Sequence, residues 1–131
     1  MIYLDSSALL KLVRDETHTA ELTAWLADRP DAPLVSSALA QVEVLRACRR
    51  IDERLLDGGR AVIAALDVVP VDEGVLGTAA ELPGPALRSL DAVHLASALT
   101  LDPDVETFVA YDARLLTAAQ AAGLAVARPG G

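Results

Sequence analysis

Cysteine, histidine and aromatic residues are scarce in this chain of 131 residues. The single cysteine, Cys48, cannot form an internal disulfide, and the two histidines, His18 and His94, lie far from it in the sequence. Zinc-type ligand spacing is therefore excluded, and any bound metal ion must be held by oxygen atoms. Because aromatic residues make up only 3% of the chain, we expect a core of leucine, valine and alanine, with Trp25 and Phe108 as its only large anchors.

Long hydrophobic runs and an excess of positive charge are also missing. No apolar stretch approaches the roughly 20 residues of a membrane-spanning helix. The N-terminal segment MIYLDSSALL has neither a basic region nor a small-residue cleavage site, so we expect a cytoplasmic protein with no membrane partner. The formal net charge of −8 argues against nucleic-acid binding through a broad positive surface, because phosphate contacts dominate that type of affinity.

Apolar residues, by contrast, are abundant. Hydrophobic residues make up 53% of the chain and charged residues 23%, which is enough apolar material to bury a core. The length is close to that of a typical domain. We therefore expect residues 1–131 to form one domain.

Short apolar runs alternate along the chain with segments of helical periodicity. We predict strands at 2–4, 33–35, 68–71, 107–111 and 124–127, and helices at 8–13, 17–27, 38–51, 53–66, 72–82, 88–101 and 113–122. Ser36 and Ser37 are candidate caps for the third helix, and Gly58 and Gly59 interrupt the fourth. No strand alternates apolar and polar residues, which favours an α/β fold: a doubly wound, three-layer α/β/α domain with a central parallel sheet.

Two aspartates follow predicted strands of this sheet. Asp5 comes directly after the first strand, and Asp112 closes the run FVAYD. Ligands of such sheets bind beyond the carboxyl ends of the strands, where the strand order reverses. Each aspartate also suits a simpler role as a helix cap, with Arg114 as a partner for Asp112.

Two further acids lie within predicted helices. Glu43 could form a plain i,i+3 pair with Arg46. Asp91 stands in the most apolar helix, where an unpaired charge is costly, although its first-turn position suits the helix dipole. If all four carboxylates converge, their mutual repulsion raises their pKa values unless a cation intervenes. Oxygen ligands suit Mg²⁺ or Mn²⁺, and such an ion can support phosphodiester hydrolysis.

The segments LDSSALLKL, ALAQVEVLRA, LRSLDAVHLASAL and VAYDARLLTAAQAAGL occur in the order and spacing of VapC-type PIN domains. The chain resembles that family over nearly its whole length. The resemblance implies a PIN-like α/β/α fold and a metal-dependent endoribonuclease, the toxin of a type II toxin–antitoxin system. It implies Mg²⁺ as the cofactor, with Mn²⁺ able to substitute.

The resemblance also implies roles for particular residues and partners. Asp5, Glu43, Asp91 and Asp112 correspond to the acidic quartet that binds the ion, with Asp5 and Asp91 as direct ligands. Ser7 corresponds to a hydroxyl near the metal or the scissile phosphate. The implied partners are an RNA substrate, a cognate VapB-type antitoxin whose C-terminal segment occupies the acidic groove, and a second copy of the chain in a homodimer.

Other candidate residues have simpler interpretations. His94, one helical turn after Asp91, is interpreted as a core histidine with hydrogen bonds rather than a general base, and Cys48 as a small core residue. The only dense basic cluster is interpreted mainly as a solvated helix face rather than an RNA contact. It consists of Arg46, Arg49, Arg50 and Arg54.

Two alternative functions differ in class from a nuclease. Asp5 could accept a phosphoryl group, but the haloacid dehalogenase-like pattern needs a second acid two residues later, where Ser7 stands, and the acidic pair of a receiver-like domain is missing. The other alternative is a non-catalytic protein-interaction domain of the same fold. The presence of all four acids favours the nuclease.

Overall fold

The computed structural model describes residues 1–131 and contains one sheet of five parallel strands with seven α-helices. This architecture confirms the predicted α/β fold with a central parallel sheet. The strands are β1 (Ile2–Leu4), β2 (Leu34–Ser37), β3 (Asp67–Val69), β4 (Thr107–Val109) and β5 (Val126–Ala127). The helices are α1 (Ser6–Val13), α2 (Thr19–Ala27), α3 (Leu39–Ile51), α4 (Leu56–Ala64), α5 (Glu73–Glu81), α6 (Ser89–Leu99) and α7 (Ala113–Ala121), and a 3₁₀ helix (Glu53–Leu55) precedes α4.

The strand order reverses between β1 and β4. The sheet order is β3-β2-β1-β4-β5, so the chain first moves outward from β1 and then returns to its other side. Leu4 and Val109 are register partners at the C-terminal ends of these two parallel strands. Asp5 and Asp112 therefore emerge at the same edge of the sheet, next to the switch point where ligands of open α/β sheets bind.

Helices cover both faces of the sheet. On one face, Ile2 and Leu4 of β1 pack with buried residues of α1, α2 and α3 and with partly buried residues of α4. On the other face, Tyr3 packs with residues of α5, α6 and α7. All three β1 residues are buried, which explains why this strand reads as a continuous apolar run rather than an alternating one.

The large core anchors differ in part from those expected. Phe108 is fully buried as predicted, but its large partner is Tyr3, whose ring stacks on it with centroids 5.1 Å apart. Tyr3 can be buried on the central strand because its hydroxyl finds a partner in His94, 2.8 Å away. Trp25 was wrongly expected to be a core anchor. It is only partly buried, with the Arg29 guanidinium 3.8 Å above its ring.

Several helix boundaries differ from the predictions, and two of the differences have clear local causes. Helix α2 begins at Thr19, two residues late, because His18 adopts a left-handed backbone conformation with φ 72°. The helix predicted at 53–66 is split into the 3₁₀ helix and α4. Gly58 and Gly59 lie inside α4, and a Cβ atom at Gly59 would stand 3.1 Å from Sγ of Cys48. This glycine therefore marks the close approach of α4 to α3 rather than a helix break.

The serines predicted to cap α3 belong to β2 instead. Ser36 Oγ donates to the Leu4 carbonyl oxygen at 2.6 Å and so ties β2 to β1. Ser37 Oγ accepts from the Leu39 N–H at 3.1 Å. Only Ser37 therefore supports the start of α3, and the capping role predicted for Ser36 is wrong because its hydroxyl is committed to the neighbouring strand.

The two edge strands are shorter than predicted. Strand β3 ends at Val69, because Pro70 has no N–H to donate to a strand ladder. Strand β5 is restricted to Val126–Ala127.

Helix α6 is buried along most of its length, as predicted, but it spans 89–99 rather than 88–101. No helix of the chain combines the length and the apolar character that crossing a membrane requires.

Candidate acidic active site

Asp5 is both a helix cap and a buried acid at the C-terminal end of β1. Its Oδ1 accepts hydrogen bonds from the Ala8 N–H at 3.0 Å and the Ser7 hydroxyl at 2.7 Å. The side chain is almost fully buried, and this burial raises the pKa of Asp5, as does the charge of Asp91, against the opposing effect of the two hydrogen bonds. Oδ2 has no hydrogen-bond partner in the protein, so the capping role leaves one oxygen available.

Asp112 caps α7 at the end of the segment that follows β4. Its Oδ1 accepts from the N–H groups of Leu115 at 3.1 Å and Arg114 at 2.9 Å. The Arg114 guanidinium lies 3.6 Å from Oδ2, so Arg114 is the partner that the sequence suggested. The backbone hydrogen bond from Leu115 and the contacts of Arg114 hold the pKa of Asp112 below its ordinary value.

Asp91 lies in the first turn of α6 and makes no side-chain hydrogen bond. Burial raises the pKa of Asp91, and the nearby charges of Asp112 and Glu43 raise it further. The Arg88 guanidinium acts in the opposite direction but does not compensate. The carboxylate lines an open depression of about 280 Å³, whose other lining residues are Glu43, Arg88, Ser89 and Leu90.

Glu43 reaches the same region from α3, and it does not pair with Arg46. Its Oε1 instead accepts from the Ser6 hydroxyl at 2.5 Å and from Nε2 of His94 at 2.6 Å. Burial alone would raise the pKa of Glu43, but the hydrogen bonds from His94 and Ser6 hold it below its ordinary value. The pairing with Arg46 is absent because Glu43 turns toward α1 and α6, whereas Arg46 is exposed on the helix surface.

His94 and Ser6 are site residues that the sequence reasoning did not assign. His94 is buried and hydrogen-bonded, as predicted, but its partner at Nε2 is Glu43 rather than a purely structural group. The signal available in the sequence was the three-residue spacing between Asp91 and His94, which places them on one helix face. Nothing local in the sequence indicates that Ser6, rather than Ser7, contacts Glu43.

Ser7 lies beside Asp5 rather than beside Glu43. Its hydroxyl donates to Asp5 Oδ1 and accepts from the Tyr111 N–H at 3.2 Å. Ser7 therefore orients the Asp5 carboxylate and ties it to the segment that leads to Asp112.

The arginine cluster lies on an exposed surface, and Cys48 lies in the core as predicted. Arg49 lies 3.8 Å from Glu53, and Arg54 lies 2.7 Å from Asp52, in exposed ion pairs on the surface of α3 and the following turn. Such pairs are typical of a solvated helix face. Cys48 is a free, fully buried thiol in the core beneath this face.

The four predicted acids thus come together at one edge of the sheet from four different segments. Their charges influence one another: Asp91 acts on Asp5, while Asp112 and Glu43 act on Asp91. No three acidic, histidine or cysteine side chains lie close enough to enclose a metal ion. An oxygen-only donor set with raised pKa values at Asp5 and Asp91 nevertheless fits a hard divalent cation, because Mg²⁺ needs only one or two direct carboxylates and keeps several waters.

Comparison with known proteins places this chain in a family. The PIN domain family matches residues 2–125. The chain is also 46% identical over 132 residues to ribonuclease VapC35 of Mycobacterium tuberculosis, covering 99% of this chain and 98% of that protein. The chain is a PIN domain of the VapC type. Ribonuclease VapC46 of the same organism is 44% identical to it over 128 residues, with 98% and 97% of the two chains covered.

Solved structures show that this VapC-type PIN domain has the expected fold. The structure of M. tuberculosis VapC20, described as a Sarcin-Ricin loop cleaving toxin, superposes with a TM-score of 0.75 at 18% identity, covering 98% of this chain and 100% of that one. VapBC2 from Rickettsia felis, bound to a DNA fragment from its promoter, gives a TM-score of 0.76 at 13% identity, covering 98% and 99%. At these identities the likeness concerns the fold alone.

Proposed function

We propose that this VapC-type PIN domain is a magnesium-dependent endoribonuclease that acts as the toxin of a VapBC-type toxin–antitoxin pair. The observation that carries the proposal is the convergence of Asp5, Glu43, Asp91 and Asp112 at the sheet edge beside the β1/β4 switch point. Ribonuclease is the activity named for the relatives that match this chain over its full length, which supports RNA as the substrate.

Asp5 and Asp91 are the proposed direct ligands of Mg²⁺, for which Mn²⁺ can substitute, and Glu43 and Asp112 complete the acidic site. The support is physical: Asp5 keeps Oδ2 free of protein hydrogen bonds, Asp91 makes none, and both have raised pKa values that a cation would lower. A bound divalent ion supplies positive charge to the phosphate and makes water more acidic.

The side chains around the acids have complementary tasks in phosphodiester hydrolysis. Arg88 and Arg114 flank Asp91 and Asp112 and provide positive charge for a phosphate at an otherwise acidic edge. Glu43, whose pKa is lowered, stays ionised at neutral pH, and its Oε2 is the proposed acceptor of a proton from the attacking water. RNA binding by a chain with a net charge of −8 therefore does not require a broad positive surface, because these two arginines supply positive charge at the site itself.

The proposed partners follow from the charge and apolar character of the same edge. Acidic side chains favour a basic antitoxin segment over a neutral one. Val42 and Leu90, which are 61% and 52% exposed beside Glu43 and Asp91, offer apolar contacts to such a segment. The structural neighbour VapBC2 supports an antitoxin partner. A homodimer of this chain is also proposed.

The test is cleavage of a cellular RNA pool by the purified chain with Mg²⁺, with Mn²⁺ and with chelator. Asp91→Asn is the test variant, and Asp72→Asn is its matched control, because Asp72 caps α5 through the Val75 N–H at 2.9 Å without taking part in the acidic site. We expect discrete metal-dependent fragments from the wild type and from Asp72→Asn, and none from Asp91→Asn. Equal cleavage by the two variants, or no cleavage in any RNA pool, would contradict the proposal.

A further inference from the structure

A chain of hydrogen bonds connects the hydrophobic core to the acidic edge. The Tyr3 hydroxyl lies 2.8 Å from Nδ1 of His94, and Nε2 of His94 lies 2.6 Å from Oε1 of Glu43. Ser6 Oγ lies 2.5 Å from the same Oε1 and 3.1 Å from His94 Nε2. We call this set of hydrogen bonds the relay. Its four members come from four different elements, in the order β1, α6, α3 and α1, so the relay forms only when these elements have packed together.

The chemistry of the four groups gives the relay a direction. An ionised carboxylate can only accept hydrogen bonds, so both the Ser6 hydroxyl and His94 Nε2–H must donate to Glu43. A neutral imidazole that carries its proton on Nε2 has Nδ1 as an acceptor, and burial keeps the Tyr3 hydroxyl protonated by raising its pKa. Tyr3 therefore donates to Nδ1.

The relay also leaves one oxygen of Glu43 unused. Both hydrogen bonds fall on Oε1, and Oε2 has no partner in the protein. The Tyr3 ring is itself immobilised by stacking on Phe108 with an interplanar angle of 5°. The orientation of the Glu43 carboxylate is thus set from the core.

We propose that His94 is a positioning residue for Glu43: the Glu43 carboxylate and the Tyr3 hydroxyl together fix the ring tautomer, and Nε2–H then holds Oε1 so that Oε2 remains available for the reaction. This inference rests on the function proposed above, because it concerns how one acid of that site is oriented. A purely structural histidine would make the same hydrogen bonds, but its replacement would lower stability without changing kcat in the folded enzyme.

The tautomer can be measured without RNA or metal. Long-range proton–nitrogen NMR of the metal-free chain reports which ring nitrogen of His94 carries the proton. We expect Nε2 to be protonated in the wild type and in Tyr111→Phe, the matched hydroxyl deletion, because the Tyr111 hydroxyl donates to the Pro129 carbonyl oxygen, away from the relay. We expect Tyr3→Phe to admit the other tautomer in part, because Nδ1 then loses the hydroxyl donor that stabilises it as an acceptor. A wild-type proton on Nδ1, whether alone or together with one on Nε2, or no effect of Tyr3→Phe, would overturn the proposal.

Kinetics separate positioning from stability. A glutamine amide nitrogen can reach the place of ring Nε2 and donate to Glu43, whereas the shorter asparagine cannot. We expect His94→Asn to lower kcat by about 10- to 100-fold, as for other residues that orient ligands in metal sites, with KM for RNA changed less than twofold. We expect His94→Gln to recover most of kcat. Equal losses in the two folded variants, or a loss seen in KM alone, would overturn the proposal.

The two kinds of failure can be told apart. If the wild-type chain cleaves no RNA, the proposed function fails, whereas the NMR experiment still decides whether His94 carries the predicted tautomer. If the His94 variants do not fold, Tyr3→Phe provides the kinetic test, because it keeps the ring that stacks on Phe108 and removes only the hydroxyl. An unchanged kcat in Tyr3→Phe would then overturn the inference.

Discussion

The main-chain N–H of Asp5 donates to the carbonyl oxygen of Val109 at 3.1 Å. This bond extends the β1/β4 ladder by one residue beyond the strands, and the Tyr111 N–H adds a second tie through Ser7 Oγ. Main-chain groups and the Ser7 hydroxyl therefore link the segments that carry Asp5 and Asp112, and neither carboxylate bridges them directly. Substitutions of the acids should consequently test their chemistry without dismantling the edge of the sheet.

Asp112 has two roles that two substitutions separate. Asparagine is as good an N-cap as aspartate, whereas alanine costs about 1 kcal/mol at such a position. We therefore expect Asp112→Asn to unfold within about 0.5 kcal/mol of the wild type but to lose most RNA cleavage, and Asp112→Ala to lose both cleavage and stability. Urea unfolding and a cleavage assay measure the two effects. Full cleavage by Asp112→Asn would show that capping is the only role.

Removing the charge of Asp91 should stabilise the metal-free chain at neutral pH. Burial and the charges of Asp112 and Glu43 raise the pKa of Asp91, so the folded chain binds this proton more tightly than the unfolded chain does. The stability contributed by Asp91 therefore falls as pH rises from about 4 through its raised pKa. We expect Asp91→Asn to raise Tm by a few degrees at pH 7 and by much less at pH 3.5. A lower Tm than wild type at pH 7 would contradict this explanation.

Divalent ions should stabilise the chain through the same carboxylates. A ligand that binds only the folded state adds about 2.7 kcal/mol at a free concentration 100 times its Kd. We expect Mg²⁺ or Mn²⁺ to raise the Tm of the wild type and of the Asp72→Asn control, and to leave Asp5→Asn and Asp91→Asn nearly unchanged. Differential scanning calorimetry provides the measurement. An equal rise in all four proteins would place the ion elsewhere.

Two adjacent serines should behave differently. Ser7→Ala deprives the buried Asp5 carboxylate of a hydrogen bond and leaves the Tyr111 N–H without its hydroxyl acceptor, so we expect a loss of about 1–3 kcal/mol of stability. Ser6→Ala affects the more exposed Glu43, and we expect a smaller loss of stability with a clear fall in kcat. Chemical unfolding and cleavage rates distinguish the two. The reverse order of stability losses would contradict the assigned contacts.

The sequence predicted those parts of the structure that depend on local patterns. Asp5 and Asp112 each follow a short apolar run and precede a helical segment, so both their strand-end position and their capping role are visible within a few residues. The buried character of α6 follows likewise from its composition. The strands do not alternate apolar and polar residues, and this predicts a parallel sheet. Because parallel strands end at the same edge, the sequence also predicts that Asp5 and Asp112 lie at one edge, although it does not show which residues contact each other.

The parts that were missed depend on contacts between distant segments. Glu43 and His94 are 51 residues apart and Ser6 is 37 residues from Glu43, so no local periodicity shows that they meet. The local pairing of Glu43 with Arg46 was the only partner that the helix alone could suggest. Gly59 was similarly interpreted as an interruption of α4. The local sequence does not show its close approach to Cys48, because Cys48 belongs to another helix.

The most direct test of the central claim, that the acidic edge hydrolyses RNA with water as the nucleophile, is the chemistry of the cut ends. Attack by water with departure of the 3′ oxygen leaves a 5′ phosphate and a 3′ hydroxyl, whereas attack by the neighbouring 2′ hydroxyl leaves a 2′,3′-cyclic phosphate. Mass spectrometry of the fragments distinguishes these products. We predict 5′ phosphates that appear only with Mg²⁺ or Mn²⁺ and disappear in Asp91→Asn. Cyclic phosphates formed in the presence of chelator would contradict the claim that the acidic edge hydrolyses RNA with water as the nucleophile.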